Sequence, residues 1–235
     1  MNQPGAFAGL VACAALSACT PSLLDYESAT HTVRSGETLY TIAWRHGLDH
    51  RDLARWNSLA NPDLIYAGQQ IRLRPPARDR AGGRDTPPAR STAPARGAAA
   101  ARPLPQARML PAPAWTWPVR GRVVAGFGSA EGIGSGIAVS GSSGQAVHAA
   151  ASGQVVYVGT GLAGYGQLVI VKHNDTYLSA YGHTESVLVA QGDAVARGDR
   201  IASMGLGPRR QARLHFEIRR NGVPVDPLAL LPPQP

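Results

Sequence analysis

The sequence predicts a multidomain protein in which a small α+β module of β-α-α-β order is followed by a disordered linker and then an all-β domain. Three observations predict it. Apolar residues recur at helical spacing between positions 31 and 74, short β-branched runs broken by glycines fill 115–235, and the stretch between them shows no period. A chain of 235 residues has room for one large domain or two modest ones, and the change of composition near its middle favours two.

In the first module, His31–Arg34 reads as a short strand. A helix follows from about Glu37, with Leu39, Ile42 and Ala43 on one face at i, i+3, i+4 spacing, and Gly47 stops it. Asp49 is a suitable N-cap for a second helix, which shows Leu53, Trp56 and Asn57 at the same spacing. Asn61-Pro62 turns the chain, and Gln70–Leu73 alternates as a closing strand. Trp44 and Trp56 lie on these helices, where aromatic side chains are packing residues more often than binding platforms.

The second domain offers strand candidates at Val123–Ala125, Gln154–Val158, Gln167–Lys172, Thr176–Tyr181 and Leu214–Ile218. Gly164 and Gly166 mark a turn, and His148, His173 and Gly141–Gly144 read as strand-end and turn features. No serine-nucleophile elbow or phosphate loop is present in the sequence.

The formal charge of +8 invites a nucleic-acid reading, but its distribution argues against one. Residues 75–114 hold seven arginines (Arg78, Arg80, Arg84, Arg90, Arg96, Arg102, Arg108) against Asp79 and Asp85, a net of +5 on a Pro/Ala/Gly-rich stretch that cannot bury a core. Most of the charge therefore sits on a linker, and no nucleic-acid partner is expected. Met1–Ala18 is uncharged and carries an apolar run from Ala6 to Leu16, too short to span a bilayer. Leu16-Ser17-Ala18-Cys19 resembles a bacterial lipobox, which implies a signal peptide over 1–18, lipid on Cys19 and a tether over 19–30. Cys13 would leave with the signal, so the mature chain would hold neither a free thiol nor a disulfide. Thr20 after the cysteine implies, by that resemblance, an outer-membrane address facing the periplasm.

Residues 31–74, HTVRSGETLYTIAWRHGLDHRDLARWNSLANPDLIYAGQQIRLR, resemble the LysM peptidoglycan-binding module. The resemblance implies a sugar groove between Gly36, Glu37, Thr38 and Leu39 on one side and Asn61, Pro62, Asp63, Leu64 and Ile65 on the other. N-acetylglucosamine units would lie there, their acetamido groups read by backbone amides.

From Trp115 to the end, the tracts GIAVSGSSGQAV, ASGQVVYVG, GYGQLVIVKHN, YLSAYGH and RLHFEIRRNGVPVDPLALLP resemble the lysostaphin-type (LytM) metallopeptidase family, with its duplicated hybrid motif. That family carries H-x-G-x-D early in the domain and H-x-H late. Here the first ligand His falls on Gly134, the ligand Asp on Ala138 and the second His of H-x-H on His215. The catalytic His positions fall on His183 and Arg213. Catalytic zinc takes about three protein ligands, and a guanidinium beside it repels a dication. The resemblance therefore implies a cleft without metal, cofactor or hydrolysis; a rewired site would have to recruit His148 or Glu217.

The order of lipobox, LysM, basic linker and degenerate LytM domain resembles the NlpD-type lipoproteins of Gram-negative bacteria. It implies peptidoglycan binding and activation of a periplasmic N-acetylmuramoyl-L-alanine amidase during septal wall splitting, with Gly134, Ala138, His183, Arg213 and His215 forming the partner-binding cleft. A zinc endopeptidase with a rewired site and a passive wall anchor are the alternatives.

Overall fold

The computed structural model describes residues 30–76, 110–130 and 133–234. The expected signal peptide, Cys19, most of the expected tether and the seven arginines of the expected linker lie outside the described residues.

In the small module, β1 (Thr30–Thr32) pairs antiparallel with β2 (Gln70–Arg72), and α1 (Leu39–His46) and α2 (His50–Trp56) lie between them in sequence. The strand expected over His31–Arg34 starts one residue earlier and ends at Thr32, although Val33 continues the pairing through Gln69 O and Gly68 N. The first helix starts at Leu39 because Thr38 caps it. Thr38 accepts from Thr41 N and Thr41 reciprocates to Thr38 N, a capping box that fixes the entry of the chain. Gly47 ends the helix in the left-handed conformation, and Asp49 caps α2 through Arg51 N, both as expected. Asn57 is not part of the apolar face. It ends α2 and bonds Leu53 O, Arg72 O and Arg72 N, tying the helix to β2.

The β domain is one ten-stranded antiparallel sheet. Its main path runs β3 (Val123–Ala125), β4 (Ile137–Ser140), β11 (Arg213–Arg220), β8 (Tyr177–Val187), β7 (Gln167–Lys172), β6 (Gly153–Gly159) and β9 (Ala194–Val195). Strand β10 (Arg200–Met204) bridges β8 and β5 (Ala146–His148), and β12 (Val223–Val225) pairs with β11. The five apolar runs named in the sequence all become strands, whereas β4, β5, β9, β10 and β12 were not anticipated, β5, β9 and β12 because two or three residues carry no pattern. Residues 110–114, expected as linker, run along the β7–β8 turn: Leu110 N donates to Thr176 Oγ1 at 3.0 Å and Asn174 Nδ2 to Pro111 O at 3.2 Å.

The two modules share a core. Tyr40 and Trp44 of α1 pack with Val156, Leu162, Tyr165, Leu168, Ile170 and Leu178 of the sheet in one buried cluster. Trp44 Nε1 donates to Tyr165 Oη at 3.1 Å, the Arg219 guanidinium carbon lies 3.8 Å from the centre of the Trp44 ring, and Arg219 Nη1 donates to Trp44 O at 2.6 Å. At the ends of the contact, Arg45 donates to Gly161 O and Arg51 to Asn221 Oδ1. Gly222 sits against the small module with φ +78°, and a Cβ there would fall 2.3 Å from Leu48 O.

Two substitutions test this contact. Trp44→Ala is expected to lower stability by about 3–5 kcal/mol in urea unfolding, the range for emptying a buried aromatic site. Gly222→Ala is expected to separate the modules without unfolding either, seen as fast solvent exchange of the Trp44 indole proton by NMR.

Candidate functional site

The positions that the sequence singles out in the β domain meet on β4, β8 and β11. His215 is in register with Ala138 on one side and Gly182 on the other, so the three lie in a row across the sheet. Arg213 lies two residues before His215 on β11, hence on the same face, opposite Ser140. His183 completes the group, its ring centre 6.3 Å from that of His215. Gly134 lies on the loop before β4 with φ +81°, a backbone conformation that a side-chain-bearing residue adopts only with strain.

His183 itself holds the left-handed conformation, φ 59°, at a bulge of β8. It is pinned there by its own N–H donating to Tyr165 O and by Gly205 N donating to its carbonyl, each at 2.8 Å. Backbone of this kind persists only where the surroundings over-determine it. Burial, with the nearby His215 and Arg213, pushes the His183 pKa down to about 4. The ring is therefore neutral at pH 7.

Below this row lies a carboxylate that the sequence did not mark as structural. Glu217 has no exposed surface. It accepts from Ser135 Oγ at 2.6 Å, Tyr165 Oη at 2.9 Å and Arg219 Nε at 2.7 Å, and His215 Nε2 stands 3.3 Å away. Burial pushes its carboxyl up, but the bonds from His215 and Ser135 and the Arg219 charge outweigh that and hold it below the ordinary carboxylate range. Arg213 is the opposite case. It is 8% exposed, yet its guanidinium makes no hydrogen bond or ion pair with another described residue.

The donor set does not fit a zinc ion. Gly134 offers no side chain, Ala138 only a methyl, and His215 faces a carboxylate already committed to Arg219. No group of three or more His, Cys, Asp or Glu among the described residues is arranged to hold a metal. Neither candidate for rewiring improves matters: Glu217 is fully engaged, and His148 turns Nδ1 to Gly198 O at 2.9 Å.

In the small module, Gly36 is exposed on one wall of the expected sugar groove and Asn61, Asp63 and Leu64 on the other, whereas the Glu37 side chain turns in to His31 and Arg45. Thr38 and Leu39 are buried, the first spent on capping α1 and the second in the core, and Ile65 packs partly against that same core. Side chains at those three positions therefore leave only their backbone to a ligand. Tyr66, 70% exposed beside Leu64, was not anticipated. Burial pushes the Glu37 carboxyl up, but bonds from His31, Arg34 N and Arg45 bring it down to about 2.

Residues 132–227 match Peptidase family M23 and residues 31–74 the LysM domain. The chain is 42% identical to Lipoprotein NlpD/LppB homolog of Pseudomonas aeruginosa, over 95% of this chain and 90% of that protein. It is 36% identical to Uncharacterized lipoprotein YgeR of Escherichia coli, over 89% and 83%, and 34% identical to Murein hydrolase activator NlpD of Escherichia coli, over 88% and 69%. Among solved structures, a zinc-containing peptidase from Vibrio cholerae is 27% identical over 52% of this chain and 41% of that one, with a TM-score of 0.45.

The buried histidines set a pH dependence. His50, His173 and His183 are each pushed from 6.5 to about 4, chiefly by burial. Between those values the unfolded chain takes up protons that the folded chain refuses, so stability is complete above about 6.5 and falls as the pH drops toward 4. Melting temperature against pH is expected to show that decline. Arg213→Ala is expected to move the His183 midpoint upward in an NMR titration, because a neighbouring positive charge is gone.

Proposed function

Because the chain belongs to the family of NlpD lipoproteins, we propose that it is a non-catalytic, peptidoglycan-binding activator of a periplasmic N-acetylmuramoyl-L-alanine amidase, held at the outer membrane by lipid on Cys19. Relatives that carry the name murein hydrolase activator support the activator role. The observation that carries it is the cleft: a strained histidine, a second histidine and an arginine with no hydrogen-bond partner for its guanidinium among the described residues stand together on one face of the sheet.

Such a cleft suits a partner side chain rather than a metal. Arg213 presents a planar fork of donors suited to a carboxylate, while the neutral His183 ring stands beside it with His215 next to it. Gly134 and Ala138 leave the floor open where larger ligand side chains would stand. A partner carboxylate entering there gains a buried, charge-assisted bond, which makes Arg213 the hot spot of the interface. The activator binds the open state of the amidase better than the closed one and so shifts its population toward activity. Through its LysM module, at Gly36–Leu39 and Asn61–Ile65, the same chain holds the glycan on which the amidase works, which raises the local concentration of enzyme at the wall.

Dye release from labelled peptidoglycan by a purified periplasmic amidase, with the full chain added, tests the proposal. Strong stimulation is expected, with no release by the chain alone, and Arg213→Ala is expected to cut stimulation by about tenfold, equivalent to about 1.4 kcal/mol of binding. Release without amidase would establish a peptidase, and binding to the wall without stimulation a passive anchor.

A further inference from the structure

Beside the shared core, the two modules enclose a cavity of about 220 Å³ that belongs to neither alone. Asp63 lines it from the small module, and Gln154, Val155, Val156, Gln191 and Gly192 from the β domain. Val155 and Val156, neighbours on β6 that are both buried, close its base. The rim is polar and largely unspent. Gln154 Nε2 donates to Gly192 O at 3.2 Å, which leaves its oxygen free, while the Asp63 carboxylate and the Gln191 amide have no hydrogen-bond partner among the described residues.

One carboxylate and two carboxamides around one recess match the chemistry of a neutral sugar. Hydroxyl and acetamido N–H groups donate to Asp63 and to the glutamine oxygens, and the glutamine amides donate back. The unpaired charge of Asp63 disfavours phosphates and carboxylates at the same place.

Position supplies the second line of argument. Asp63 belongs to the Asn61–Ile65 wall of the glycan groove. The opposite wall also reaches the β domain, because Glu37 holds Arg45, and Arg45 donates to Gly161 O at 3.2 Å. Both walls thus reach toward the β domain, one through Arg45 and the other through Asp63, which lines the cavity.

We propose that the glycan site continues across the module boundary, so that a sugar unit beyond those held by the LysM module is seated on the β domain between Asp63, Gln154 and Gln191. This rests on the glycan reading of the LysM module and is independent of amidase activation. A glycan strand bound in this way bridges both modules and holds them in the docked arrangement.

Calorimetric titration of the full chain with short and long N-acetylglucosamine oligomers tests it. The affinity of the native chain is expected to rise with oligomer length. The double variant Gln154→Ala/Gln191→Ala alters two exposed side chains and is expected to keep its melting temperature and its affinity for short oligomers while losing about tenfold on long ones. Equal affinity of variant and native chain for long oligomers would overturn the extended site and leave the LysM reading standing. Absence of binding at every length would remove both.

Discussion

The ion pair between Glu217 and Arg219 is the interaction on which the rest of the molecule depends. A carboxylate without exposed surface is tolerated only if neutralised and fully hydrogen-bonded. Arg219 supplies the charge and Ser135 and Tyr165 the bonds. The same guanidinium then reaches the other way, stacking on the Trp44 ring and donating to the Trp44 carbonyl. One residue therefore satisfies a buried acid at the back of the cleft and anchors the small module on the sheet. Tyr165 repeats the theme, since its hydroxyl receives from Trp44 and gives to Glu217.

This arrangement couples three places that are far apart in sequence. The cleft, the carboxylate behind it and the helix of the first module are joined by Trp44, Tyr165, Glu217 and His215, each in contact with the next. What distinguishes the cleft is a redistribution of charge. A metal site places anionic or neutral ligands around a dication, whereas this cleft holds a positive charge of its own, on Arg213, and the His183 ring beside it is kept neutral by burial. The strained backbone at His183 holds that ring in place.

Much of this was legible in the sequence. The β-branched runs became strands because period-2 and continuous apolar patterns are local signals, and Gly47 and Asp49 lie at the helix boundaries where capping chemistry puts such residues, whereas Thr38, expected on the sugar groove, turned out to be the cap of α1. That Gly134 and Ala138 carry no donor side chain could be read directly, since a missing side chain needs no structure to be noticed. The docking of the two modules was not legible as a contact, because Trp44 and Arg219 are separated by 175 positions. One signal was nevertheless present. Every residue from Leu39 to Trp44 is buried, so the helix is covered on more than one side. The large apolar side chains Tyr40 and Trp44, off the Leu39/Ile42/Ala43 face, are the pattern of a helix enclosed by more than its own module.

That pattern bears on how the chain can be divided. A LysM module cut out of this protein would carry Tyr40 and Trp44 bare on its surface, an adhesive face on a small body. The β domain cut away from it would leave the Arg219 guanidinium and the Tyr165 hydroxyl to be hydrated, with water admitted toward Glu217. Fragments of this protein are therefore different molecules from the parts they represent, in solubility as well as in the chemistry of the cleft.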